Sequence, residues 1–138
     1  MKIFLDANIL VSVLNQEYPL FSFSARILGL ADHPGYQVYT SPICLAIAFY
    51  FSEKKSGSKL AKQKLELLVS RIQITTVNQE VVSFAVNDKR VVDFEDGLEY
   101  YSAIKEGCNV IITEDLNDFY YSEIEVLDCR GFLLKYFG

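Results

Sequence analysis

The ten residues MKIFLDANIL, positions 1–10, decide the fold because they join a strand to a helix at a carboxylate. The apolar run Ile3 to Leu5 is typical of a short buried strand, and the apolar spacing after it predicts a helix from Ala7 to Leu14. Asp6 therefore falls at the carboxyl end of a strand, the edge where ligands bind in open α/β sheets. An acid at that edge predicts a metal site if later strands bring further acids to it.

Strand and helix patterns alternate along the remaining chain. Further strands are predicted at residues 37–40, 72–77, 109–113 and 125–127. Further helices are predicted at residues 20–31, 43–51, 58–70, 79–86, 93–106 and 131–137. Such alternation indicates βαβ units, so we expect one α/β domain over residues 1–138 with a mainly parallel central sheet.

Two of these helices also carry predictions about burial. Ser41 and Pro42 form a typical helix start, and residues 43–51 are apolar almost all round, which predicts a deeply buried helix. In the next helix we expect five inward-facing residues: Leu60, Leu65, Leu67, Leu68 and Val69. The same helix carries three lysines that form either a solvated face or a contact for phosphates: Lys59, Lys62 and Lys64.

The bulk composition limits the classes of function. The net charge of −5 argues against a general nucleic-acid coat, but it is compatible with a nuclease whose metal-binding carboxylates carry part of that charge. Cys44, Cys108 and Cys129 are too widely spaced for a zinc motif or a disulfide framework, and the apolar contexts of Cys44 and Cys108 predict core thiols of a reducing compartment. Asp6 interrupts any signal peptide and the longest apolar run is too short for a bilayer, so we expect a cytoplasmic protein without membrane contact.

Three carboxylates from distant parts of the chain should converge at one edge of the sheet. Asp6 ends the first strand and Asp115 follows the strand at 109–113, while Asp96 lies at the start of the helix that leads into that strand. Bunched carboxylates repel one another and raise one another's pKa, and a hard divalent cation such as Mg²⁺ or Mn²⁺ compensates for this. Such an ion, kept partly hydrated, suits the hydrolysis of phosphodiesters.

Each of these acids also has a structural role open to it. Asp93 is a typical N-cap with Asp96 as its reciprocal partner, and Asp6 can cap the first helix. Asp115 and Asp118 are typical turn residues. Taken singly the structural roles are favoured, but the shared position at strand ends favours the metal site for the set.

Three segments resemble, in order and at these separations, the motifs of the PIN domain, the fold of many bacterial toxin ribonucleases of the VapC type. They are IFLDAN at 3–8, DFEDGL at 93–98 and VIITEDLNDF at 110–119. The resemblance covers essentially the whole chain and implies a three-layer α/β/α fold with a central sheet of four to five strands. It also implies a ribonuclease that uses Mg²⁺ or Mn²⁺, the toxin of a toxin–antitoxin pair, with RNA as substrate, an antitoxin protein as partner and a homodimer as assembly.

The resemblance assigns roles to individual residues. It implies that Asp6, Asp96 and Asp115 are catalytic metal ligands and that Asp118 is a further ligand or a substitute. Four residues would support them by orienting ligands or metal-bound water: Asn8, Thr113, Asp93 and Glu99.

One departure from the family pattern leaves alternatives open. The family usually places a Glu in the helix after the second strand, and that position falls at Ile47, so metal affinity should fall unless Asp118 or Glu99 replaces the lost acid. The alternative function is a PIN-like module that binds RNA or a protein without efficient catalysis. A phosphotransferase of the haloacid-dehalogenase type is disfavoured, because that class needs a second Asp at the position of Asn8.

Overall fold

The computed structural model describes residues 1–138, and its strands and helices alternate as the sequence predicts. The strands are β1 (Lys2–Leu5), β2 (Gln37–Thr40), β3 (Gln73–Ile74), β4 (Val110–Ile112) and β5 (Glu125–Leu127). The helices are α1 (Ala7–Leu14), α2 (Phe21–Leu28), α3 (Pro42–Ser56), α4 (Ser58–Val69), α5 (Gln79–Asn87), α6 (Phe94–Glu106) and α7 (Cys129–Phe137). Short 3₁₀ turns follow α2 and β4, at Gly29–Asp32 and Leu116–Phe119.

The five strands form one parallel sheet in the order β3-β2-β1-β4-β5. The central strand β1 pairs with a strand on each side, so that Ile3 lies opposite Val38 in β2 and Val110 in β4. The prediction of a three-layer α/β/α fold with a mainly parallel sheet of four to five strands is confirmed, since α-helices connect the first four strands and all five pair in parallel.

The hydrophobic core is centred on β1 and β4. Ile3, Phe4 and Leu5 in β1 are fully buried, as are all three residues of β4. Strands inside a parallel sheet are covered by helices on both faces. This explains why these residues of β1 and β4 form continuous apolar runs. All three cysteines are free and buried, which confirms the prediction of Cys44 and Cys108 as core thiols.

Helix caps fix where the helices begin at the carboxyl edge of the sheet. Asp6 caps α1 and Asp93 caps α6, where the Asp93 side chain accepts a hydrogen bond of 3.1 Å from the backbone N–H of Asp96. Gly107 ends α6 with a left-handed φ of +81°, which a residue with a side chain adopts only with strain. These local signals are strong, and the predicted bounds of α1 and α6 therefore agree closely with the structure.

The burial predicted for α3 and α4 is wrong in part. In α3 only the stripe of Cys44, Ala48 and Ser52 is buried, while Tyr50 and Phe51 are 54% and 45% exposed. In α4 the buried residues are Ala61 and Leu68, and three of the residues predicted to face inward are exposed: Leu60, Leu67 and Val69. Each helix covers its neighbours along one narrow stripe, so the apolar residues outside that stripe remain open to solvent.

The largest differences in element length are at α3, which continues five residues beyond its predicted end at Phe51, and at two further elements. The segment predicted as a strand at 72–77 pairs with β2 only through Gln73 and Ile74, because β3 is the edge strand of the sheet. The helix predicted at 20–31 changes to a 3₁₀ turn after Leu28. None of the helices combines the length and the hydropathy that crossing a bilayer requires.

The buried position of β4 predicts how strongly it stabilises the fold. Replacing Ile111, which is fully buried, by Ala should lower the free energy of unfolding by about 2–5 kcal/mol, because the change removes apolar contacts and leaves a cavity. Urea denaturation followed by circular dichroism measures this loss. The control Val92→Ala, at a side chain 90% exposed, should change stability by less than about 0.5 kcal/mol; an equal loss in both variants would contradict the assigned core.

Candidate metal centre

A cavity of about 550 Å³ opens at the carboxyl edge of the sheet and is unusually acidic. Nine of the fifteen residues that line it are carboxylates, and none is Lys, Arg or His. The nine are Asp6, Glu17, Asp93, Glu95, Asp96, Glu99, Glu114, Asp115 and Asp118. None of them takes part in an ion pair, because the four ion pairs of the structure involve acids elsewhere.

Asp6 forms the floor of the cavity and is held by two donors. Its side chain is 6% exposed, and Oδ1 accepts a hydrogen bond of 2.6 Å from the backbone N–H of Ala7 at the start of α1. Oδ2 accepts a bond of 2.7 Å from the hydroxyl of Thr113, the residue that follows β4. The carboxylate is thus fixed by one group from its own turn and one from the neighbouring strand end.

Thr113 and Asn8 connect Asp6 to Asp115. The Thr113 hydroxyl, which donates to Asp6, accepts hydrogen bonds from the Asn8 side chain at 3.2 Å and from the Asp115 backbone N–H at 3.0 Å. The Asn8 side chain also donates to Asp115 Oδ2 at 3.1 Å and accepts from the Glu114 N–H at 3.3 Å. This network sets the orientation of two carboxylates that the sequence separates by 109 positions.

Asp96 approaches the same cavity from the first turn of α6. Burial, followed by the charges of Asp93 and Asp6, raises the pKa of Asp96 to about 7. Partial desolvation and the charge of Asp115 also raise the pKa of Asp118, which lies at an exposed position of the 3₁₀ turn after β4. Raised carboxyl pKa values are the expected result of placing acids together without a cation between them.

Glu99 is the most buried acid of the set. It lies one turn after Asp96 in α6, is 1% exposed, and receives a hydrogen bond of 2.9 Å on Oε1 from the Cys44 thiol of α3. Burial, followed by contact with Asp6, raises the pKa of Glu99 well above its usual value. Oxygen atoms of Asp6 and Glu99 and the Cys44 sulfur lie within 4.8 Å of one another.

The structure brings every predicted site residue to this edge of the sheet. Asp6, Asn8, Asp93, Asp96, Glu99, Asp115 and Asp118 line the cavity, and Thr113 lies beneath it. Ile47 lines the same cavity, as expected for a position aligned with a metal ligand. Whether these residues bind a metal ion remains a prediction.

Four contributors to the site were not predicted from the sequence: Glu17, Cys44, Glu95 and Glu114. Cys44 was predicted only as a core thiol, although its place one turn before Ile47 on α3 was a usable signal. Glu114 was overlooked beside Asp115, and Glu17 lies in a loop whose sequence gives no indication of where it folds. The apolar part of the lining comes from Ala7, Val11, Leu20, Ile47 and Phe51.

The donor chemistry of the cavity fits a hard divalent cation. The groups offered to a ligand are carboxylate oxygens, which Mg²⁺ and Mn²⁺ prefer, and they have no protein cation to neutralise them. Burial and the neighbouring acids raise the pKa of the Cys44 thiol well above its usual value, so it is a neutral donor rather than a soft thiolate ligand. The arrangement therefore resembles a site for Mg²⁺ or Mn²⁺ more than one for Zn²⁺.

Comparison with known proteins shows the same fold and a related sequence. The sequence model of a protein family described as PIN domain matches residues 2–117 of this chain. Ribonuclease VapC1 of Aquifex aeolicus (strain VF5) is 27% identical over 135 residues, which cover 95% of this chain and 92% of the relative.

Three similar solved structures share the fold. VapBC2 from Rickettsia felis, bound to a DNA fragment from their promoter, matches with a TM-score of 0.70 at 20% identity over 93% of this chain and 98% of that chain. VapBC-1 from nontypeable Haemophilus influenzae matches with a TM-score of 0.72 at 17% identity, over 94% and 99% of the two chains. VapC20 from Mycobacterium tuberculosis, described as a Sarcin-Ricin loop cleaving toxin, matches with a TM-score of 0.63 at 18% identity, over 79% and 86%.

The raised pKa of Asp96 predicts how stability depends on pH when no metal is bound. The pKa of Asp96 is 3.8 in the unfolded chain and about 7 in the folded chain, so the folded state holds the proton more tightly. The free energy of unfolding therefore falls as pH rises from about 4 to about 7. Asp96→Asn removes the charge, and at pH 8 its free energy of unfolding should exceed that of the original chain by about 1–2 kcal/mol. This figure allows for solvent screening of a half-buried group, and the difference should be much smaller near pH 4.

Urea denaturation in the presence of a chelator, repeated from pH 4 to pH 8, measures this gain. Glu53→Gln, at an exposed position of α3 outside the cavity, is the control and should show no gain that grows with pH. A gain for Asp96→Asn that is the same at every pH would contradict the assignment of a strained carboxylate.

Proposed function

The chain belongs to the PIN domain family, and from this we propose that it is a ribonuclease dependent on Mg²⁺ or Mn²⁺, the toxin of a toxin–antitoxin pair. The observation that carries the proposal is the cavity at the sheet edge, where nine carboxylates converge without one protein cation. The relative named ribonuclease VapC1 supports hydrolysis of RNA as the reaction. The motifs, the fold and the donor chemistry thus agree on one class of activity.

The proposal assigns the metal to the floor of the cavity. Asp6, Asp96 and Asp115 would hold the cation, with Asp118 as a further ligand. When bound, the cation would supply a water of lowered pKa and charge stabilisation for the phosphate and the leaving oxygen. Asn8 and Thr113 would hold Asp6 and Asp115 in fixed orientations, and Asp93 would fix the start of α6 that carries Asp96.

The distribution of charge supports an RNA substrate better than the net charge does. Half of the eighteen acids lie in the cavity, so the rest of the chain carries thirteen Lys and Arg against nine acids. The surface outside the cavity is therefore net basic and can attract a phosphate backbone. Phe94 and Tyr120, which are 48% and 64% exposed, lie within two residues of acids of the cavity and can stack on unpaired bases.

We propose an antitoxin protein as the partner and a homodimer as the assembly. Similar structures bear the name VapBC, and the relative bears the name VapC1. An apolar wall beside the acidic floor, with Val11, Leu20 and Phe51, would suit a partner that presents apolar residues together with a cation. Co-purification with the product of a neighbouring gene, and light scattering of the isolated chain, test these two proposals separately.

One observation favours a second candidate function. Ile47 presents an apolar side chain to the cavity at the position where the family resemblance calls for an acid. A weakened metal site would leave a PIN-like module that binds RNA or a protein without efficient catalysis. Metal binding separates the two candidates, because a binding module needs no cation.

Cleavage of RNA tests the ribonuclease proposal directly. The purified chain should cleave a mixed RNA substrate with Mn²⁺, and a chelator should abolish cleavage. Asp6→Asn keeps the shape of the side chain but loses its charge, so cleavage should fall by about 100-fold or more. Equal cleavage by this variant would identify a contaminating nuclease, and no Mn²⁺ binding at millimolar concentration would favour the binding module.

The Thr113 hydroxyl predicts a second effect on the metal site. Thr113→Val keeps the volume but removes the group that donates to Asp6 and accepts from Asn8, so Mn²⁺ affinity should fall about 10–100-fold. Calorimetric titration measures the affinity. The control is Thr75→Val, a buried hydroxyl bonded to Ser102 away from the cavity, which should keep Mn²⁺ affinity; a comparable fall in that variant would assign the effect to general destabilisation.

A further inference from the structure

We propose that Glu99 supplies from α6 the metal-binding carboxylate that Ile47 does not supply from α3, and that the Cys44 thiol positions it. The inference rests on the proposed metal-dependent ribonuclease function and goes beyond it by naming a further ligand and a positioning residue. It also chooses between the two acids, Glu99 and Asp118, that could replace the missing one.

Glu99 is placed where a carboxylate needs a cation. It is 1% exposed, its side chain lines the cavity, and no Lys, Arg or His forms an ion pair with it. The one protein donor to its carboxylate is the neutral thiol of Cys44. Burying a carboxylate without a compensating charge is costly, and Asp6, an oxygen of which lies within 4.8 Å, is itself an acid.

The geometry of α3 and α6 explains how an acid on one helix can replace an acid on the other. Cys44 and Ile47 lie one turn apart on α3 and so share a face of that helix. Ile47 lines the cavity, and Cys44 reaches across to Glu99 on α6. Glu99 therefore enters the cavity beside the face of α3 on which a Glu at position 47 would stand.

Cys44 holds the carboxylate through a short relay that begins at the helix cap. The Ser41 hydroxyl accepts a hydrogen bond from the Cys44 backbone N–H and donates one of 3.2 Å to the Cys44 sulfur. The thiol in turn donates to Glu99 Oε1 at 2.9 Å. Because all three side chains are buried, the relay restricts the rotamer of Glu99, whose carboxyl group also contacts Asp6 at the floor of the cavity.

Asp118 is less suited than Glu99 to replace the missing acid, because it is neither buried nor held by the Cys44 thiol. It is exposed and lies in the turn after Asp115, where water can solvate its charge. It contributes to the acidity of the cavity, but its burial does not demand a cation. Removing its charge should therefore weaken metal binding less than removing the charge of Glu99.

The test is calorimetric titration of the full chain with MnCl₂ at pH 8. Glu99→Gln should lower Mn²⁺ affinity by about tenfold or more, because it removes one negative ligand, and Asp118→Asn should lower it less. The double variant Ile47→Glu/Glu99→Gln should recover most of the lost affinity. Glu53→Gln, the same substitution at an exposed position of α3 outside the cavity, should bind as the original chain does.

Melting temperature separates a lost ligand from a damaged fold. Without metal, Glu99→Gln should melt at no lower a temperature than the original chain, because the neutral amide keeps a hydrogen-bonding group beside Asp6 and needs no compensating charge. With Mn²⁺ the original chain should gain melting temperature, and the variant should gain little. A role confined to folding would instead lower the melting temperature of the metal-free variant.

The outcomes distinguish this inference from the function on which it rests. If the original chain binds Mn²⁺, Asp6→Asn does not, and Glu99→Gln binds as the original does, the role of Glu99 is overturned while the proposed function stands. If the original chain does not bind Mn²⁺ at millimolar concentration, both are overturned. A larger loss for Asp118→Asn than for Glu99→Gln overturns the choice of Glu99.

Two substitutions of Cys44 test its positioning role. Cys44→Ser retains a hydrogen-bond donor and should keep Mn²⁺ affinity within about threefold, whereas Cys44→Ala leaves Glu99 unrestrained and should lower it about tenfold. The rescue by Ser distinguishes orientation of the carboxylate from packing of the thiol. Equal affinities of Cys44→Ala and the original chain would overturn the role of Cys44.

Discussion

Mutual repulsion among carboxylates at the carboxyl edge of the sheet is the constraint on which the site depends. Parallel pairing brings the ends of β1 and β4 to one edge, and the crossover through α6 returns its acidic first turn to the same place. Hydrogen bonds from Thr113, Asn8 and backbone N–H groups orient these acids without neutralising them. The fold thus fixes the orientation of the carboxylates but provides no positive side chain to balance their charge. A divalent cation would bind to such an arrangement.

The sequence predicts those parts of the site that depend on local signals. An apolar run that stops at an acid locates Asp6 and Asp115, and helix capping locates Asp96, so three positions follow from strand ends and one cap. Once the alternation of strands and helices predicts a parallel sheet, their convergence also follows. Most strands and helices are predicted well for the same reason. The exceptions are the edge strand β3, where pairing rather than pattern sets the length, and the carboxyl ends of α2 and α3.

What the sequence does not predict is how helices share faces. The residues of α3 are apolar almost all round, so the pattern cannot indicate that Tyr50 remains exposed while Cys44 is buried. Cys44 and Glu99 are 55 positions apart in the sequence, and their contact depends on how α3 and α6 pack against each other. Composition is misleading in a similar way, because a net charge of −5 hides an acidic cavity within a surface that carries an excess of Lys and Arg.

The place of Glu99 shows why a ligand should be identified by its position in the cavity rather than by its position in an alignment. A metal ion interacts with oxygen atoms and not with the helix that carries them, so a carboxylate lost from α3 can be replaced from α6 if both helices border the cavity. Such a replacement demands a second change, because an acid moved into a buried place needs a donor that fixes it. The Cys44 thiol, which belongs to no metal-binding cysteine motif, donates such a hydrogen bond to Glu99 from α3. An apolar residue at position 47 therefore does not by itself imply an inactive domain.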